Sequence, residues 1–98
     1  MFGGAARTFL VETYVPGLDE RAAATLSSRL RESIRQLNEE GTALRWGGSF
    51  ALAVEETYIC VIVATVVGDV FRLSERAGLE HDHVVEAFAI DARETQSR

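Results

Sequence analysis

The sequence predicts an α+β fold: four antiparallel strands in one sheet with two helices on one face, in the order βαββαβ of a ferredoxin-like sandwich. Three observations lead there. Residues 20–39 and 66–77 carry apolar side chains in steps of three and four, the period of a helix with one buried stripe. Four other stretches are rich in Val, Ile, Phe, Thr and Tyr over strand length. Pro16-Gly17, Gly41 and Gly78 separate them as turn and helix-stop signals. The chain has 98 residues, 47% hydrophobic and 26% charged, the size and mix of one globular domain.

Taken in order, residues 1–7 are a Gly/Ala-rich flexible lead-in, 8–90 the domain, and 91–98 a frayed tail with no apolar residue beyond Ala92. The first strand spans 8–15, with Phe9, Val11, Thr13 and Val15 on one face and Leu10, Glu12 and Tyr14 on the other. Asp19 is placed to cap the first helix, whose stripe is Ala23, Leu26, Leu30, Ile34 and Leu37, with Gly41 as its stop. The second strand, 43–53, is interrupted by Gly47-Gly48, the signature of a bulge or a close backbone approach; a bulge flips the side-chain phase, so facing cannot be carried from Trp46 to Phe50. A hairpin turn over 54–57 leads to the third strand, 58–64, apolar on both faces and therefore covered on both. Thr65 is expected to cap the second helix, with a stripe of Val67, Val70, Phe71, Ser74 and Ala77. The fourth strand, 83–90, sets Val84, Glu86, Phe88 and Ile90 against Val85, Ala87 and Ala89.

Two helix crossovers of this length put both helices on one side of the sheet and make the first and third strands its central pair. The helix-free face then carries apolar residues with nothing in the chain to cover them, which predicts a homodimer packed sheet to sheet. Glu12 and Glu86 lie mid-strand on adjacent strands, each flanked by apolar neighbours. Both are expected on the helix-free face, Glu12 between Leu10 and Tyr14 and Glu86 between Val84 and Phe88; two carboxylates brought close there cannot both ionise cheaply, and one becomes a candidate general base or cation ligand.

Other chemistry is sparse. His81-Asp82-His83 supplies two imidazoles, the residue type of a transition-metal ligand, but no third or fourth ligand is identifiable. Cys60, the one cysteine, reads as a small buried hydrophobe and excludes an internal disulfide. Neither Gly3-Gly4 nor Gly47-Gly48 forms a phosphate loop. A net charge of −5 disfavours nucleic acid and anionic membrane as partners. The N-terminus lacks the pattern of a signal peptide and the longest apolar run is too short to span a bilayer, so the expected location is cytoplasmic.

Three segments, LVETYVPG (10–17), ETYICVIVA (56–64) and ERAGLEHDHVVEAFAI (75–90), resemble a family of small ferredoxin-like proteins of unknown function that includes a nickel-binding branch. The resemblance covers about residues 8–90 and implies a dimeric fold. Nickel comes only from this resemblance: that branch has histidines in the first strand, where this chain has Thr13 and Tyr14, and around E-R-A-G, where it has Leu73 and Leu79. Glu12, Cys60 and Glu86 do match and are carried over as pocket-lining positions. The expected function is a small-ligand or metal-ion binding module whose site is Glu12, Tyr14, Cys60 and Glu86, with His81 and His83 as the metal candidates. The alternatives are a cofactor-independent enzyme of the dimeric α+β barrel type with a Glu general base, and a protein-interaction or regulatory subunit.

Overall fold

The computed structural model describes residues 5–88 and Ile90. The expected tail, most of the expected lead-in and Ala89 lie outside them. The elements are β1 (Arg7–Tyr14), α1 (Glu20–Glu39), β2 (Arg45–Leu52), β3 (Thr57–Ala64), α2 (Val67–Ala77) and β4 (His83–Ala87). They form one antiparallel sheet in the order β2-β3-β1-β4, the α+β ferredoxin-like arrangement expected. Among the described residues no helix is long and apolar enough to cross a membrane.

α1 forms where the sequence places it. The Asp19 carboxylate accepts the Ala22 N–H at 2.8 Å, and Gly41 leaves the helix at φ 106° as Thr42 N–H reaches back to the Leu37 carbonyl. Leu30, Ile34 and Leu37 are buried as expected, and Leu26 and Ala23 pack at the margin. α2 differs in two respects. Val66, not Thr65, occupies the N-cap, and no side chain caps the first turn. The buried residues are Val70, Leu73, Ser74 and Ala77, while Val67 and Phe71 are exposed. Two apolar rows overlap at Val70, and periodicity alone cannot rank them; docking against the sheet selects the row through Leu73.

The core lies between the helices and one face of the sheet: Phe9 and Val11 from β1, Tyr58, Cys60, Ile62 and Ala64 from β3, with Leu18, Leu44 and Leu79 closing the ends. Each large apolar side chain buried there contributes about 1.5–3 kcal/mol. The one buried phenol is satisfied, since Tyr58 Oη shares a hydrogen bond with Ser27 Oγ at 2.7 Å and Ser27 Oγ another with Ser49 Oγ at 2.9 Å.

β4 ends at Ala87 rather than Ile90. Ala87 already pairs with Thr8, so β1 has almost no strand left to receive Phe88 and Ile90, which stand exposed. The β2–β3 register shifts between Trp46 and Gly48, the bulge expected at the double glycine. Its effect on phase is visible: Trp46 packs against the core, and Phe50, an even number of residues later, points the other way with 62% of its surface exposed. The bulge needs glycine at both positions. Gly48 has φ 115°, and a Cβ on Gly47 would fall 2.7 Å from Val61 Cγ1 and 3.0 Å from the Val61 carbonyl oxygen. Gly47→Ala should therefore lower stability by about 1–3 kcal/mol. Gly68→Ala, in an open position on α2, should raise it by about 0.5 kcal/mol. Urea unfolding of the two variants checks both signs.

Candidate functional site

The register assigns every strand residue to a face, because antiparallel partners share one. Phe9, Val11 and Thr13 face the helices, so Leu10, Glu12 and Tyr14 face away. Their partners on β3 are Val61, Ile59 and Thr57, and those residues in turn pair with Gly48, Phe50 and Leu52 on β2. On β4, Leu10 meets Val85 and Glu12 meets His83. The helix-free face is thus a broad apolar surface of Leu10, Phe50, Leu52, Ile59, Val61, Val63 and Val85. Toward its β4 edge stand the Glu12 carboxylate and the His83 imidazole, and Arg45 lies opposite Val63 at the β2 edge. Glu12 Oε1 lies 3.9 Å from His83 Nδ1, and Glu12 is the less exposed of the two side chains.

Tyr14 stands at the end of this face. Its phenol donates to Glu56 Oε1 at 3.1 Å, and the nearby carboxylate, through that bond and its charge, holds the phenol above its usual titration range. Glu56 sits in the β2–β3 turn at φ 52°, and its other oxygen accepts the Gly17 N–H at 2.7 Å. The same end of the sheet is closed by Asp82, whose carboxylate accepts the Tyr14 N–H at 2.7 Å and whose own N–H donates to the Glu12 carbonyl at 3.0 Å.

Two of the expected site residues do not join this group. Glu86 pairs with Phe9 and so lies toward the helix side, where Arg7 Nε donates to it at 3.0 Å. Glu12 and Glu86 therefore stand on opposite faces, and the expectation that they share one is corrected. The Val84-Val85 pair made the phase of β4 ambiguous, and pairing of Val84 with Val11 resolved it the other way. Cys60 is wholly buried in the core beneath the sheet, and burial pushes its thiol up to about 12.

The two histidines also part. His83 lies beside Glu12, whereas His81 packs on Phe71 of α2 with ring centroids 4.9 Å apart and leaves its buried Nδ1 without a hydrogen-bond partner. Among the described residues no three His, Cys, Asp or Glu side chains gather closely enough to hold a metal ion. The nickel implied by resemblance finds two donors, Glu12 and His83, and not a complete set within one chain. Thr13, at one of the positions where that branch has histidine, faces the helix side and spends its hydroxyl on the Glu80 carbonyl at 2.6 Å.

The pairing of Glu12 with His83 was not foreseen. A signal existed, since the predicted strand order makes the two strands neighbours, but the register was needed to oppose these two residues. Glu56 and Asp82 were missed because they act from turns, where sequence spacing carries no contact information. Grooves lie elsewhere, one of about 460 Å³ by the start of α1, lined by Val15, Ala22, Leu26 and Arg29 among others. Another, of about 370 Å³, runs between the helices past Ser33, Gln36 and Arg76.

No family model and no curated protein matches the sequence. Among solved structures, the chain is similar to the crystal structure of SCO4226 from Streptomyces coelicolor A3(2), with a TM-score of 0.69 and 17% identity over 85% of this chain and 98% of that one. At that identity the likeness speaks for the fold alone.

The placement of Cys60 predicts an inert thiol. At pH 8 the native protein should react with a thiol reagent at least a hundredfold more slowly than the same protein in denaturing urea, as a colorimetric thiol assay would read. Arg7 and Glu86 are each about half exposed, so a double-mutant cycle on them should give a coupling below about 1 kcal/mol.

Proposed function

We propose that this chain is a small-ligand binding module whose working form is a homodimer closed over the helix-free sheet face. The observation that supports it is the uninterrupted apolar surface of Leu10, Phe50, Leu52, Ile59, Val61 and Val85 around a single carboxylate–imidazole pair. Three strands of eight residues and one of five, at about 3.3 Å per residue and about 4.8 Å between strands, give a face of roughly 500 Å² in plan. Side-chain relief brings that to the lower end of what a stable dimer buries per partner, about 600 Å². A second copy offers the same apolar face and packs isologously, sheet on sheet. The segment 91–98 has almost nothing apolar to lay on it.

Between two such faces Glu12, His83 and Tyr14 become the polar lining of an otherwise dry space. A carboxylate there favours a ligand carrying a hydrogen-bond donor or positive charge, and the apolar walls favour a small organic body attached to it. Glu86 and Cys60, expected in this lining, face the helix side and are left out of the proposed site.

Sedimentation velocity at tens of micromolar should show a dimer. Phe50→Lys combined with Val85→Lys should yield a monomer with an unchanged far-ultraviolet circular dichroism spectrum; a wild-type monomer at that concentration would defeat the reading. Amide shifts induced by a set of small amines should cluster at Glu12, Tyr14 and His83.

A further inference from the structure

Glu12 and His83 face each other across the β1–β4 ladder, on the surface proposed for self-association, with Glu12 Oε1 and His83 Nδ1 3.9 Å apart. Their surroundings on the face are short of other charge. β3 places Ile59 opposite Glu12, β1 and β4 add Leu10 and Val85, and β2 adds Phe50. The charged group on this face from β2 is Arg45, which aligns with Val63, four residues along β3 from Ile59. Near the Tyr14 end stand two further carboxylates. Glu56 is engaged by the Tyr14 phenol and the Gly17 N–H, and Asp82 by the Tyr14 N–H. The helices lie on the opposite side of the sheet.

We propose that this pair makes closure of the face by a second copy depend on proton uptake by His83, so that the dimer tightens as pH falls from 8 to 6. The inference rests on the homodimer reading. In the open chain water solvates both groups, and Glu12 needs no counter-charge. Under a second apolar sheet a lone carboxylate loses that water, and its burial is costly unless a cation pairs with it. The adjacent imidazole supplies the cation by taking one proton. Imidazole is the side chain that ordinarily exchanges a proton in the near-neutral range. The dimer then binds more protons than two separate chains do, and the association constant rises as pH falls. The chain has two histidines, and the other, His81, packs on Phe71 of α2, which makes it an internal control.

The test is the dimer dissociation constant, from sedimentation equilibrium at fixed ionic strength at pH 6 and pH 8, with circular dichroism confirming the fold of each protein. For wild type and His81→Gln the constant should be about tenfold or more lower at pH 6. His83→Gln should abolish the difference. Glu12→Gln should reverse it, because the charged imidazole is then buried without its partner. A dimer whose constant is the same at both pH values, or a shift lost with His81→Gln and kept in His83→Gln, overturns this inference alone. A wild-type chain that is monomeric at both pH values overturns it together with the homodimer reading.

Discussion

β1 is hydrogen-bonded along both edges, to β3 from Arg7–Ala64 to Tyr14–Thr57 and to β4 from Thr8–Ala87 to Glu12–His83. Because partners across an antiparallel pair share a face, this one strand determines what meets what on both sides of the sheet. A slip of one residue would turn Phe9 and Val11 into water and Glu12 into the core, a large loss with no compensation. The register is also pinned chemically. The Thr13 hydroxyl holds the Glu80 carbonyl, and the Asp82 carboxylate holds the Tyr14 N–H, just where the chain enters β4. Those two bonds place His83, and no other residue, opposite Glu12.

The helix side is finished chemically. Its apolar residues interlock from four elements, and its buried phenol, hydroxyls and thiol are either hydrogen-bonded or inert. Charged residues on the outer surface of the helices pair among themselves: Arg35 with Glu32 and Glu39, and Arg76 with Glu40. Such exposed pairs add little stability and leave little unmet chemistry. Apart from the buried His81 Nδ1 beside α2, what is unmet lies on the other face, where a sheet with β-branched residues on both surfaces has helices for only one of them.

That asymmetry joins folding to function in this chain. Strands β1 and β3 need apolar residues toward the helices to fold at all, but Leu10, Ile59 and Val61 contribute little to the monomer from the far side. Leaving them in water is a standing cost that association would remove. A carboxylate in such a surface works against association unless its charge is met, and the nearest group that can meet it is an imidazole one strand away. The bulge at Gly47-Gly48 shapes the same face by turning Phe50 outward while Trp46 stays in the core.

The sequence by itself determined the element order, the sheet's central pair, the buried stripe of α1 and the burial of β3 on its helix side. Each of these follows from a local pattern that only one structure satisfies: a long 3.6-residue period, a capped start, or a strand apolar on every residue. It also determined that Glu12 and Tyr14 share the face opposite Phe9 and Val11, since alternation in β1 is clean. The tertiary structure decided the phase of β4, the row of α2 that docks, and the facing of β2 beyond its bulge. In each of those places two apolar residues stand side by side: Val84 with Val85, Val70 with Phe71, and the paired glycines with no side chain to read. Local pattern is then degenerate, and a partner strand or helix must break the tie. That is why Glu86 left the candidate site and His83 entered it.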